Sequence, residues 1–145
     1  MSLATADIQK AKSVWQKFYV NAEDNGAIVL SRMFKEHPHT VSCFTNFKEL
    51  QSIARTASVT ELEGLSDVCT HGKKVLSSLN NMVQQVDNMD ALKATIEPLG
   101  KKHAVELKVD VKEFENVQRT PTYCELLHKL QRTTVHCRNC LSYRT

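Results

Sequence analysis

The stretch Thr60–Gln85, TELEGLSDVCTHGKKVLSSLNNMVQQ, carries the strongest periodic signal in the chain. Leu65, Val68, Gly72, Val75, Leu76, Leu79 and Met82 recur mostly at steps of three and four, which predicts one long amphipathic helix. His71 and Val75 are four apart and therefore project from the same side of it. Downstream, Leu92, Ile96, Leu99 and His103 follow at steps of four, three and four, which predicts a second helix over Asp90–Ala104. Pro98 lies inside that stretch and predicts a broken or two-part helix, because its nitrogen has no hydrogen to donate.

Upstream the same rhythm continues. Ile8, Ala11, Trp15 and Phe18 make one stripe of a helix from Thr5 to about Tyr19, with Thr5 as a cap and Asp7 in the first turn. A second helix, capped by Asp24 or Asn25, is expected to run through Phe34 and to stop near Lys35, because Pro38 disfavours helix at the residue before it. Pro38–Phe47 reads as a tight, aromatic-rich connector rather than a strand. Past Ala104, Val109, Val111 and Phe114 predict the start of another helix, which Pro121 then stops. Tyr123, Leu126, Leu127 and Leu130 suggest a short amphipathic helix, and from about Arg132 the pattern is polar and expected to be mobile. The fold class is all-α.

Composition narrows the function classes. The 145 residues fit one domain, 1–145, and a hydrophobic fraction of 41% with 24% charged residues is that of a globular chain. A net charge of +3 without a basic patch interleaved with aromatics gives no nucleic-acid footprint. No apolar run is long enough to span a bilayer, so no membrane partner is expected. The amino terminus lacks the charged and apolar regions of a secretory signal, so the expected location is the cytoplasm. The five cysteines are then expected to be reduced. Cys137-Arg138-Asn139-Cys140, with Cys124, His128 and His136 nearby, has a spacing that can hold zinc. A single such pair is more often just two thiols.

Individually the histidines mean little, since a lone histidine on a helix is usually a surface or satisfied residue. Their company adds more. His37-Pro38, Phe44-Thr45-Asn46-Phe47, His71-Gly72 and Pro98-Leu99 before His103 stand in order, and His71 and His103 are 32 residues apart. Trp15 lies in the first helix, and Gly26 and Gly72 occupy the second helix and the Thr60–Gln85 helix. In these landmarks the chain resembles vertebrate globins of the cytoglobin, myoglobin and globin-Y neighbourhood, over roughly residues 6–114.

That resemblance implies a haem b cofactor with its iron, and a gas partner, oxygen or another diatomic. It makes His103 the proximal iron ligand, held by a backbone carbonyl near Leu99. His71 becomes the distal residue, facing the gas or acting as a sixth ligand. Phe44 and Phe47 are the haem-stacking aromatics, and Gly26 and Gly72 let two helices cross closely. The remaining pocket is implied to be Leu30, Val75, Leu99, Leu107, Val109 and Phe114, with Lys74 reaching a propionate. Oxygen storage, transport, sensing, nitric-oxide dioxygenation and a peroxidase-type side activity share such a pocket. No dedicated catalytic residue is implied.

After Phe114 the resemblance is lost, and residues 115–145 read as a divergent tail. Only 42 residues follow His103, short for the two long helices that close a globin pocket. The expectation is a globin-like fold whose last two helices are broken, shortened or replaced, with a pocket open on that side. The alternative is a globin-derived fragment that does not hold haem stably and acts in regulation or interaction.

Overall fold

The structure is a computed structural model that describes residues 5–119, with side chains to residue 115. Helix α1 spans Thr5–Tyr19 and α2 spans Ala22–Glu36, followed by a 3-10 turn over Pro38–Cys43. Short helices α3 (Lys48–Ile53) and α4 (Val59–Glu63) lead into the long α5 (Ser66–Gln84). Then come α6 (Met89–Lys101), a π-helical turn (Lys102–Glu106) and α7 (Val111–Arg119), with no strand among the described residues.

The architecture is organised by the crossing of α2 over α5, the dominant packing pair. A Cβ built on Gly26 would lie 2.3 Å from the carbonyl carbon of Gly72, and one on Gly72 would lie 2.4 Å from that of Gly26. Only two residues without side chains allow the backbones to approach so closely. On one side of this crossing Leu30, Phe34, Leu50, Leu62, Leu65 and Val68 form the main core. On the other, Phe18, Ala22 and Leu76 make a smaller cluster with Trp15, Tyr19, Val29 and Leu79. The Trp15 indole donates to Asn80 Oδ1 at 2.9 Å, tying α1 to α5.

Several boundaries differ from the periodic reading. Neither Asp24 nor Asn25 caps α2, which begins at Ala22 behind Asn21. The Asn25 amide instead donates to the Phe18 carbonyl at 2.7 Å and binds the end of α1 to the start of α2. The single helix expected over Thr60–Gln85 is two helices, α4 and α5. Ser58 and Glu61 form a reciprocal capping box that starts α4, with Ser58 N–H donating to the Glu61 carboxylate at 2.7 Å. The Ser58 bonds also hold the Glu61 carboxyl below the usual carboxylate range. Leu65 then turns extended (φ −72°, ψ 126°), and its side chain is buried in the core. Pro98 does not break α6, which stays α-helical to Lys101, and the irregularity falls after it, in the π-turn. Helix α3 has no counterpart in the periodic reading. The expected helix at Tyr123–Leu130, the mobile stretch from Arg132 and the Cys137/Cys140 pair lie outside the described residues.

The second part of the domain is built differently from the first. Among the described residues all the buried apolar ones lie between Phe18 and Leu76, and neither α6 nor the π-turn buries any residue. Ile96 (44% exposed), Val105 (63%), Leu107 (54%), Val111 (70%) and Phe114 (46%) are large apolar side chains left in contact with solvent.

Candidate functional site

Helix α5 carries His71 beside Gly72, so the glycine crossing also fixes the histidine's depth in the fold. The His71 ring is half-buried and stands edge-on to two phenylalanines, with centroids 5.3 Å from Phe44 and 5.5 Å from Phe47. Phe44 packs in turn edge-on against buried Phe34 at 5.0 Å. The segment holding Phe44 is fastened by Gln51 of α3, whose amide donates to the carbonyls of Val41 (2.7 Å) and Phe44 (3.0 Å). Burial pushes the His71 pKa below its ordinary value of 6.5, and the charges of Lys74 and then His103 add to that shift. His71 is therefore a neutral imidazole at neutral pH, with one N–H to donate and one lone pair.

His103 lies in the π-turn. Its Nδ1 is 2.7 Å from the Leu99 carbonyl oxygen, which can only accept, so Nδ1 carries the proton and donates. In the neutral ring the lone pair is then on Nε2, the arrangement a metal-binding imidazole needs. The turn is closed by Leu107 N–H donating to the Lys102 carbonyl (3.0 Å) and Val109 N–H donating to the His103 carbonyl (2.9 Å). Phe114 meets the His103 ring edge-on at 5.3 Å. Isolated π-turns inside helices recur at functional sites, where they re-aim a side chain.

The structure brings the residues singled out above into two groups. Phe44, Phe47 and His71 form one, on the α5 side. Leu99, His103, Val109 and Phe114 form the other. The two groups are linked electrostatically, since His103 adds, after burial and Lys74, to the lowering of the His71 pKa. Val75 is half-buried one turn after His71, and Lys74 is exposed at the helix edge. Leu30 is buried within the main core (5% exposed). An open depression lined by Arg32, Lys35, Glu36, Val59, Thr60 and Glu63 shares no residue with this site.

Two side chains that the sequence did not single out support it. One is Gln51, which acts on the backbone near Phe44. The other is Lys35, whose ammonium donates to the carbonyls of Ala57 (2.7 Å) and Ala54 (3.3 Å) and closes the loop before α4. Both act on carbonyls, which every residue has, so no side-chain pattern announces them. Cys43 and Cys69 are free, and burial raises the Cys69 pKa while its thiol donates to the Glu63 carbonyl at 3.0 Å. Among the described residues no group of three or more His, Cys, Asp or Glu could hold a metal ion by itself, and no helix is long and apolar enough to cross a membrane.

The Globin family profile matches residues 27–134. The chain belongs to the globin family. The match runs past Phe114 to residue 134. Cytoglobin-1 of Oryzias latipes is 32% identical over 96 residues, covering 66% of this chain and 51% of that protein. Cytoglobin-1 of Danio rerio is 31% identical over 109 residues, or 75% and 59% of the two chains. Hemoglobin subunit beta-2 of Xenopus laevis is 39% identical over 103 residues, or 71% and 63%. The aligned globin segment thus spans half to three-fifths of these relatives' own length. Globins hold their haem by a proximal histidine and set its chemistry with the polarity of the opposite side. The residues present fit such a group. The His103 Nε2 lone pair is oriented, the His71 group stands nearby, and Leu107 and Phe114 expose apolar surface that the protein core does not use.

Proposed function

We propose that this globin binds haem b between His103 and His71 and takes up oxygen or another diatomic gas on the His71 side. The observation that carries the reading is the His103–Leu99 hydrogen bond of 2.7 Å, which fixes the ring and frees Nε2 for iron. Haem supplies an iron that binds a gas reversibly. His103 holds the iron and, through Leu99, keeps one orientation. Neutral His71 either donates its N–H toward the gas or gives its lone pair as a sixth ligand, and Phe44 and Phe47 restrict which way its ring turns. A donor to a charged acceptor contributes about 1.5–3 kcal/mol, roughly ten- to hundredfold in affinity. Phe44, Phe47, Val75, Leu99, Leu107, Val109 and Phe114 are assigned to the apolar walls, Leu30 backs them, and Lys74 is placed to meet a propionate. The proposed setting is the cytoplasm.

Haemin titration of the purified chain, read by its Soret band, tests this. His103→Gly is expected to weaken haem binding far more than His71→Leu, because only the former removes the obligatory iron bond. Equal haem retention by both variants would overturn the assignment. The exposure of Leu107 (54%) and Phe114 (46%) favours one further reading of the same site, that haem is held less firmly than in a full-length globin. Transfer to an acceptor protein as slow as from myoglobin would refute it.

A further inference from the structure

Among the described residues, the part of the chain that carries His103 has no core of its own. Its described residues from Met89 onward include none that is buried, and α7 is not among the helices that pack extensively on others. Among the described side chains of α7, Phe114 and Glu113 contact other elements. Phe114 lies on His103, which belongs to the same region. Glu113, its neighbour, reaches the other region. Its Oε2 lies 2.9 Å from Nε2 of His39, in the 3-10 turn that leads to Phe44. That oxygen is buried and has no aligned hydrogen-bond donor among the described residues, and its contact with His39 is an ion pair whenever the imidazole carries its second proton. His37 stands edge-on to the His39 ring at 6.0 Å.

We propose that the His39–Glu113 ion pair is a clasp between α7 and the 3-10 turn that leads to Phe44. It holds α7, and with it the Phe114 ring on His103, against the region that carries Phe44 and His71. Both are positioning residues, since the ring contacts of His103 are with Leu99 and Phe114 and the pair acts on it only through α7. The pair sets how readily the two groups of site residues part and, on the haem-binding reading above, how fast haem leaves. A charged contact with one partner mostly buried lies between exposed and buried pairs, so its loss is expected to speed parting roughly five- to tenfold.

Two measurements on the full chain test the clasp separately from haem binding. The first is amide hydrogen exchange in the haem-free protein. His39→Leu and Glu113→Gln should each speed exchange at Val111–Phe114 by that factor, the double variant no further, and His39→Lys, which keeps a cation, should stay near wild type. Exchange at Val68–Leu76 should not change. The second is haem transfer to an acceptor protein, where His39→Leu, Glu113→Gln and the double variant should all release haem faster by a similar factor and His39→Lys should stay near wild type. Additive effects in the double variant, or unchanged exchange in α7, would overturn the clasp. Faster exchange in α7 with no Soret band in any variant would retain the clasp and overturn the haem reading.

Discussion

Replacing Gly26 by alanine tests the architecture at its tightest point. The added Cβ would sit 2.3 Å from the Gly72 carbonyl carbon and 2.4 Å from its oxygen, against an ordinary contact of 3.4–4 Å. Both obstacles are backbone, so α2 and α5 must part by about 1 Å. A gap of that size forfeits about a quarter to a half of the dispersion between facing atoms. Leu30, Phe34, Val68 and Leu76 are buried residues of these two helices. Their full burial is worth roughly 1.5–3 kcal/mol each, so losing a third of it across four side chains costs about 2–4 kcal/mol. Alanine returns about 1 kcal/mol of helix propensity, leaving a net loss of about 1–3 kcal/mol in a domain whose stability is of order 5–15. Gly100 is the control, since a Cβ there meets nothing within 4 Å and the residue lies within α6. Gly100→Ala should stabilise by up to about 1 kcal/mol. Urea unfolding followed by far-UV ellipticity compares the two, with equal slopes required for the comparison. A Gly26→Ala midpoint at or above that of wild type would refute the close crossing, because propensity alone would then be acting.

Other consequences follow from the site. On the haem-binding proposal, His71→Leu should speed oxygen release about ten- to hundredfold in stopped-flow dissociation, since a lost hydrogen bond shows mainly in the off-rate; an unchanged rate would mean His71 does not face the gas. Burial lowers the His71 pKa, so between that folded value and its ordinary 6.5 the unfolded chain binds more protons than the folded one. Stability should therefore fall as pH drops through 6.5 toward the folded value, and His71→Leu should flatten this dependence in urea titrations across that range. Lys35→Met removes the donor to the Ala54 and Ala57 carbonyls and should cost about 1–3 kcal/mol, with faster amide exchange in α4 as the local signature. A Lys35→Met chain as stable as wild type would show that water replaces the ammonium at no cost.

The sequence by itself determined the all-α class, the extent of α1, the end of α2 before Pro38, and the landmarks that lead to the globin family. These are local or spacing properties. A stripe at steps of three and four, a proline that forbids helix before it and two histidines 32 residues apart are visible without knowing what they touch. The Leu99 carbonyl as the partner of His103 comes from the globin resemblance rather than from helix geometry, since Leu99 lies in α6 and His103 in the π-turn that follows it. Tertiary structure decided the rest. Leu65 keeps the helical rhythm in sequence yet turns extended, because its burial in the core and the capping box at Ser58 outweigh the propensity to continue one helix. Pro98 reads as a break yet sits inside α6, where only its own missing N–H bond is lost, while the irregular turn falls around His103. The edge-on packing of Phe44 and Phe47 on His71, the closure by Gln51 and Lys35 and the His39–Glu113 contact join residues distant in the chain. Such contacts depend on how helices cross, and no local preference encodes them. The crossing itself is where the two levels meet: the sequence places a glycine in each helix, but only the packed fold brings their backbones close enough for a single methyl group to matter.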